Sequence, residues 1–302
     1  MKVIGYTKTV PPANNNFAKL ELIKRFVAGA VALGDDGVLS DQLIWQPSDV
    51  AVIQGFVHAG IPAPAHLRLR KQVVEKQMSI SKHALIVDSN LFLYKNTTSP
   101  LNYLRYSFNG VFPQTGNYFS DTVDPARWKQ IRTDIGIDVK EWRTKGNYIL
   151  LACQRDGGWS MKGNNVLEWV NNTYAEIRRH TDRPVLVRAH PGDRHALNYL
   201  KKAGLKLSNT PDIIQDFKNA WATITYNSSP GVASAIEGIP VYVTDPDPRT
   251  SQAYDICNTD LATIENPNMP ERQQWLEKLS MSHWKFDELS NGSAWRHMRN
   301  YV

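Results

Sequence analysis

The sequence predicts a doubly wound α/β protein built as two domains with parallel sheets. Three observations predict it. Short apolar runs alternate with amphipathic stretches, once between Lys2 and Asp88 and again between Tyr148 and Val243. The chain has 302 residues, more than a single core of common size organises. A polar segment from Asp124 to Trp142, closed by Lys145-Gly146-Asn147, separates the two series. The domains expected are therefore 1–145 and 146–302. The second carries a Trp-rich helical tail with Trp275, Trp284 and Trp295, and its C-terminal helix is able to cross back.

In the first series, Lys2-Val3-Ile4-Gly5-Tyr6 reads as a buried strand. Phe17 to Leu33 places Leu20, Ile23, Val27 and Val31 three and four residues apart, the spacing of one helical face. Asp49 to Gln54 is an apolar run closed by Gly55, which suits a parallel strand covered on both sides. His66 to Met78 is helical and exposes Arg68, Arg70, Lys71 and Lys76, and Ala84 to Asp88 is the next strand. Asp35-Asp36-Gly37 has the composition of a turn. From Asn90 to Tyr118 the rhythm breaks: Tyr103, Tyr106, Phe108 and Phe112 are punctuated by Asn109-Gly110 and Pro113, the pattern of a long aromatic loop.

The second series runs strand Tyr148–Ala152, loop Cys153–Ser160, helix Val166–Ile177, strand Pro184–Arg188, loop Ala189–Gly192 and helix Leu197–Ala203. It continues with strand Ala222–Thr225, loop Asn227–Gly231, helix Val232–Glu237 and strand Pro240–Val243.

Composition narrows the function classes. Lys and Arg number 35 against 29 Asp and Glu, and the resulting net charge of +6 fits an anionic partner. Two cysteines, Cys153 and Cys257, exclude a disulfide framework and a four-thiolate zinc site, and point to a reducing cytoplasm. Met1 to Pro12 has no apolar core of a secretory signal, and no apolar run approaches the ~18 residues of a membrane helix. No phosphate-binding G-x-x-x-x-G-K-[ST], dinucleotide G-x-G-x-x-G, G-x-S-x-G elbow or H-E-x-x-H is present. Asp245-Pro246-Asp247 reads as a turn in preference to a metal pair, so no metal site is expected.

In open α/β sheets, ligands sit outside the C-terminal ends of the strands. Three polar loops of the second half fall there. In Tyr226 to Gly231, the hydroxyls of Ser228 and Ser229 and the start of a helix suit an anion, and Gly231 lets backbone approach a ligand. The competing reading is that a serine only caps the helix. In Arg188 to Arg194, Arg188 and His190 suit phosphate and Pro191 fixes the turn. A structural histidine is the alternative. In Gln154 to Lys162, Arg155 can meet phosphate, Trp159 can stack on a base, and Gln154 and Ser160 complete the set; a packed surface loop is the alternative.

These residues carry a resemblance. Asn227-Ser228-Ser229-Pro230-Gly231, a short helix, then Gly238-Ile239-Pro240-Val241 resembles the donor-site segment of GT-B glycosyltransferases. It is especially similar to capsule polysaccharide, Kdo and polysialic acid transferases, which read N-S-[ST]-x-G and then G-x-P-V. Arg188-Ala189-His190-Pro191 is similar to the His-Pro motif of the same group, in the same order. The resemblance covers the second half of the chain. It implies two Rossmann-like domains facing across a cleft, a nucleotide sugar on the second domain, His190 on the donor phosphate, and Ser228 and Ser229 on its oxygens. Many relatives carry a ribose-binding Glu two residues after the glycine; here that position is Ala233, and Glu237 one turn later is the candidate substitute. Asp35-Asp36-Gly37 is similar to the acidic-Gly motif that supplies the base in sialyl transferases. Arg105 to Pro113, Gln154 to Met161 and the Trp-rich tail resemble glycosyltransferases of tailed phages, some of which modify DNA.

The function expected is transfer of a sugar from a nucleotide sugar, UDP-linked by preference, with no metal or cofactor required. The acceptor favoured is a hydroxymethylated pyrimidine in DNA. A glycan acceptor, a nucleotide-sugar epimerase and a non-catalytic DNA-binding protein are the alternatives. Asp88, at a strand end, is the first candidate for general base, followed by Asp35 and Asp36. For DNA, Arg68, Arg70 and Lys71 are expected to track phosphates, with Arg105, Tyr106 and Asn109 at an extruded base.

Overall fold

The computed structural model describes residues 1–11, 17–55, 63–92 and 103–302. Part of the long aromatic stretch, residues 93–102, lies outside these. The chain forms two compact units. The first comprises Met1–Asn90, Lys95–Ile131 and Glu277–Val302, and the second Leu91–Tyr94 and Arg132–Leu276.

The first unit holds strands β1 (Lys2–Tyr6), β2 (Asp36–Ser40), β3 (Val50–Gln54), β4 (His83–Asp88) and β5 (Leu104–Phe108), with helices α1 (Phe17–Ala32) and α2 (Ala65–Ser79). Helix α3 (Pro125–Ile135) follows and spans the boundary with the second unit. The second unit holds β6 (Tyr148–Ala152), α4 (Val166–Arg178), β7 (Val185–Arg188), α5 (Ala196–Lys202), α6 (Ile213–Phe217), β8 (Ala220–Thr225), α7 (Pro230–Ile236) and β9 (Val241–Val243). Helix α8 (Gln273–Ser280) leads into β10 (His283–Trp284), α9 (Phe286–Ser290) and α10 (Ser293–Met298) of the tail.

The first sheet is ordered β10-β5-β4-β3-β1-β2. Its β4-β3-β1-β2 part is parallel, while β5 runs antiparallel to β4, and β10 antiparallel to β5. Strand β3 buries Val50, Ala51, Val52 and Ile53, because a central parallel strand is covered on both faces. The second sheet is ordered β7-β6-β8-β9 and is wholly parallel. Helix α4 covers it with Val166, Trp169, Val170, Thr173 and Ile177, all on one face, and Asn165 caps its start by accepting from the Glu168 N–H. Both units are thus α/β, as the sequence predicts.

Two expectations about the domains are corrected. The units divide at Ile131/Arg132 rather than at residue 145, because the Lys140 N–H donates to the Ile236 carbonyl at 2.9 Å and Arg143 Nη1 donates to the Ala220 carbonyl at 2.9 Å. Residues 277–302 belong to the first unit and not to the second. There β10 extends the sheet, with His283 opposite Arg105 and Trp284 opposite Leu104, and α9 and α10 lie against α1. The C-terminal helices do cross back. Phe26 meets the edge of Trp295 with ring centroids 5.7 Å apart, and the Arg127 guanidinium lies 4.0 Å from the Trp284 ring while pairing with Glu288.

This packing makes the fold acid-sensitive. His283 is wholly buried, and burial pushes its pKa down to about 3, against the pull of its bond to the Leu279 carbonyl and with Arg105 and Arg127 nearby. Unfolded, the same imidazole titrates near 6.5. Between those values the unfolded chain takes up a proton that the folded chain refuses, so stability falls as pH falls. Asp49, bonded to Lys82, and Glu265, bonded to Arg183, have carboxyls held below their ordinary range, so their stabilisation is also lost as pH falls. Tm should therefore decline steadily from about pH 6.5 downward, and a Tm that stays level to about pH 4 would contradict this account.

Candidate functional site

In the second unit the chain passes from β6 outward to β7, then returns across β6 to β8. The order reverses between β6 and β8, so the crevice outside their C-terminal ends is the topological switch point. The three loops picked out in the sequence end β6, β7 and β8.

The β6 and β8 loops are tied together by buried side chains. Gln154 Oε1 accepts from the Asn227 N–H at 3.0 Å, and Gln154 Nε2 donates to the Ser160 hydroxyl. Asn227 Nδ2 donates to the Ser160 carbonyl at 3.1 Å and to Asp245 Oδ2 at 2.9 Å. Asp245 is buried, accepts from the Thr250 hydroxyl at 2.7 Å and pairs with Lys162 at 2.8 Å. Gln154 and Ser160, expected to touch the donor, are instead braces between two loops. Asn227, which the sequence places in the site loop without a role of its own, and Asp245, read there as part of a turn, are the centre of the brace. Among the described residues, no group of three or more His, Cys, Asp or Glu side chains is gathered to hold a metal.

At the start of α7, Ser229 occupies the cap position without making a side-chain cap bond. The Ser228 hydroxyl is buried and has no hydrogen-bond partner among the described residues. Such a group is left with hydrogen-bonding capacity to offer at the end of β8. At Gly231 a Cβ would meet Val241 Cγ1 at 3.2 Å and Ala253 Cβ at 3.5 Å. Its lack of a side chain serves packing of α7 against Val241 and Ala253.

In the β7 loop, the Gly192 N–H donates to His190 Nδ1 at 3.0 Å. The neutral ring consequently carries its proton on Nε2 and offers it as a donor. Burial holds the His190 pKa below the ordinary value; Asp193 opposes the shift and Arg155 adds to it. Pro191 is exposed on the turn. Arg155 is exposed, and among the described residues no ion pair holds its guanidinium. Trp159 is half-buried in a short 3-10 turn, Trp159–Met161. Gly157, at φ +64°, supplies the left-handed turn that brings the loop back. The adjacent Cys153 thiol is buried and pushed up to about 12, so it is inert as a nucleophile.

Two further donor-site residues are corrected. Arg188 Nη1 donates to Asp216 Oδ2 at 2.6 Å and to Thr210 Oγ1 at 2.9 Å. Asp216 is fully buried and also accepts from the Ser208 hydroxyl at 2.7 Å, so the Arg188 charge is spent inside the fold. Glu237 pairs with Lys140 at the C-terminal end of α7, the end away from the β8 loop, so it does not replace the missing ribose ligand.

In the first unit, Asp35 is buried and accepts from Trp295 Nε1 at 2.5 Å and from the Met1 amino group at 2.7 Å. Asp36 is exposed as the first residue of β2. Both stand at the N-terminal end of that strand, the wrong end for a ligand site. Asp88 stands at the C-terminal end of β4, partly exposed, and pairs with Arg105 at 2.7 Å. Of the six residues expected on nucleic acid, four are absorbed by the fold. Arg70 is buried and donates to the Thr9 carbonyl at 2.9 Å and to Gln54 Oε1 at 3.1 Å. Arg105 is buried against Asp88, and Tyr106 is buried on β5, its ring 6.3 Å from that of Phe26. Asn109, at φ +66°, accepts from the Ala84 N–H at 2.9 Å and so clamps a turn. Arg68 and Lys71 are exposed on α2, where Lys71 faces Glu75 at 3.7 Å.

No protein-family model matches the sequence, and no curated protein matches it. Solved structures do. The beta Kdo 2,7 transferase of KpsC from Thermosulfurimonas dismutans superposes with a TM-score of 0.53 at 13% identity, over 97% of this chain and 99% of that one. The beta Kdo 2,4 transferase of KpsC from the same organism gives 0.55 at 13% identity, over 93% and 90%. A UDP-GlcNAc 2-epimerase from Methanocaldococcus jannaschii aligns over 97% of this chain and 83% of that one at 12% identity, with a TM-score of only 0.35. Over nearly its whole length, this chain has the two-unit GT-B fold of the Kdo transferases.

Proposed function

We propose that the protein is a nucleotide-sugar-dependent glycosyltransferase whose donor binds at the C-terminal edge of the second unit. One arrangement carries this reading: around the end of β6, His190 presents a neutral Nε2–H beside the Arg155 guanidinium, and among the described residues neither that guanidinium nor the buried Ser228 hydroxyl has a partner. Glycosyl transfer expels a nucleoside phosphate, and the chemical task is to stabilise the negative charge that grows on it. A cation, a neutral N–H donor and a hydroxyl meet that need. The donor proposed is a UDP-sugar. The acceptor proposed is a glycan hydroxyl, because four of the six residues that would have met DNA are occupied within the fold. Asp88 is the proposed acceptor-side base, since of the three carboxylates considered it stands at the ligand-bearing edge of its sheet.

The test is mass spectrometry of products after incubation with UDP-, GDP- and CMP-sugars, with oligosaccharides and with hydroxymethylated DNA offered as acceptors. A sugar mass added to an oligosaccharide supports the proposal. Transfer to DNA would return the acceptor to a pyrimidine, and intact donors throughout would remove the activity. His190→Ala should lower turnover by about 10- to 1,000-fold, the range for loss of one charge-stabilising donor, with Tm little changed. Undiminished turnover in that variant would take His190 out of the site.

A further inference from the structure

Two sheets have four edges, and among the described residues the chain closes or shortens three of them. Along β7 the Val187 N–H donates to the Lys206 carbonyl at 2.9 Å, and the Ser208 N–H donates to the Val187 carbonyl at 2.8 Å. Along β9 the Val243 N–H donates to the Asn258 carbonyl at 2.9 Å, and the Asn258 N–H donates to the Val241 carbonyl at 2.7 Å. Strand β10 is two residues long, and its His283 carbonyl accepts from Arg127. The fourth edge is β2, five residues in regular parallel register with β1 and without a bulge.

The Asp36 N–H donates inward to the Met1 carbonyl at 2.8 Å. Alternate residues of a parallel strand turn their peptide groups toward the same neighbour. Asp36, Val38 and Ser40 therefore face β1, and the N–H and C=O groups of Gly37 and Leu39 face outward. No hydrogen bond from the described residues reaches those groups. Edge strands are ordinarily blunted by a lysine, a proline, a bulge or very short length. Between Asp36 and Ser40, β2 has none of these. Val38 and Leu39 are half exposed there, and Leu43 and Ile44, just beyond the strand, are exposed at 52% and 66%. At the strand's other end Val31 of α1 is exposed too, next to Gly37, where an added Cβ would meet Val31 Cγ2 at 2.6 Å. A stable dimer buries about 800 Å² on each partner, and these five apolar side chains supply on the order of half of it. The strand backbone with the exposed Asp36, Asp41 and Gln42 adds to that.

We propose that β2 pairs antiparallel with β2 of a second copy of this chain, about a two-fold axis at Val38, so that one sheet runs through a homodimer. The register follows from the outward groups. Gly37 of each copy stands opposite Leu39 of the other, and the two exchange N–H to C=O bonds. Val38 meets Val38 in the non-hydrogen-bonded pair between them, where side chains approach most closely. Asp36 falls opposite Ser40, so no like charges stand directly opposite. Leu43 and Ile44 of one copy run past the start of the other's β2, toward its Val31, so the apolar groups at the two ends of the edge cover one another. An isologous contact of this kind closes at two copies. The strands of the two sheets run in opposite directions, so the C-terminal edge that bears Asp88 stays open in each copy.

Sedimentation velocity of the full chain should show a dimer with a dissociation constant in the micromolar range or tighter. Val38→Lys sets like charges face to face at the axis and should weaken the dimer at least tenfold. Val38 is half exposed in the single chain, so this variant should keep the Tm of the dilute wild type. Val38→Cys in a Cys257→Ser background reads the register, because a non-hydrogen-bonded pair holds its Cα atoms about 4.5 Å apart, within disulfide reach. Mild oxidation should link two copies of it, and should link Leu39→Cys, which faces Gly37, far more slowly. A monomer at every concentration up to the millimolar range, a dimer undiminished in Val38→Lys, or faster linkage at position 39 than at 38 would overturn the proposal. Should Val38→Lys fail to fold, the two cysteine variants decide alone. A monomeric chain that transfers sugar would lose the dimer and keep the glycosyltransferase reading.

Discussion

Replacing Arg188 by alanine should destabilise the second unit by about 3–5 kcal/mol, the cost of leaving a buried partner charge uncompensated. Asp216 has no exposed side-chain surface, whereas Arg188 retains 15%. Asp216 would keep its bonds from Ser208 and Thr210 but lose the one full charge opposite it. With roughly 2–4 °C per kcal/mol for a unit of this size, the Tm of that unit should fall by on the order of 10 °C. Adding Asp216→Asn should recover part of the loss, because the stranded charge goes with it. Thermal unfolding of the single and double variants decides the matter. An unchanged Tm with collapsed turnover would put Arg188 back on the donor phosphate, where its place in the Arg-Ala-His-Pro run suggests it belongs.

The second large effect is expected at Arg127. Its guanidinium pairs with both oxygens of Glu288, bonds to the His283 carbonyl and stacks on Trp284, so one side chain holds both β10 and α9. Arg127→Ala should cost about 3–5 kcal/mol from the stranded Glu288 carboxylate. Loss of the stack over Trp284 adds about 1–2 kcal/mol. The first unit should then melt before the second, splitting unfolding into two transitions, and residues 277–302 should become open to limited proteolysis in the native range. A tail that stays protected, with a single unchanged transition, would show that the pairing of β10 with β5 suffices without the ion pair.

Most of the parallel framework was legible in the sequence, because central parallel strands announce themselves as apolar runs. Val50 to Ile53 and Ala220 to Thr225 are buried without a break, and their neighbours followed from helical spacing. What escaped were strands with a different chemical signature. Strand β2 is an edge strand with Val38 and Leu39 exposed at 43% and 44%, so it lacks the pattern of a buried element and was read as an Asp-Asp-Gly turn. Strand β5 is buried at all five positions, yet two of them are Arg105 and Ser107, which are tolerated only because Asp88 and the Gly110 carbonyl receive them. Neither partner can be inferred from local pattern.

The same limit explains the site. The three candidate loops do follow β6, β7 and β8, since strand ends in a parallel sheet are where polar loops collect. The roles of individual residues were not legible. Arg188 and Arg155 look alike in sequence; Asp216, 28 residues on, neutralises the first, and among the described residues no carboxylate pairs with the second. Glu237 sits on the right helix at the wrong end, a distinction that spacing cannot make once the partner is Lys140.

The position of β10 has a consequence for synthesis of the chain. The second unit has its last sheet strand by Val243, while the sheet of the first is finished by His283 and Trp284. The first half emerges from the ribosome early but is completed late, so the second unit is free to fold before the first is closed. At ~5–20 residues per second the outer edge of β5 stays bare for roughly ten seconds or more. A bare strand edge is a template for pairing with another chain, which makes the nascent first unit the aggregation-prone stage of biogenesis. Truncation anywhere before β10 would make that exposure permanent, and yield of soluble protein would then depend on chaperones that cover the edge.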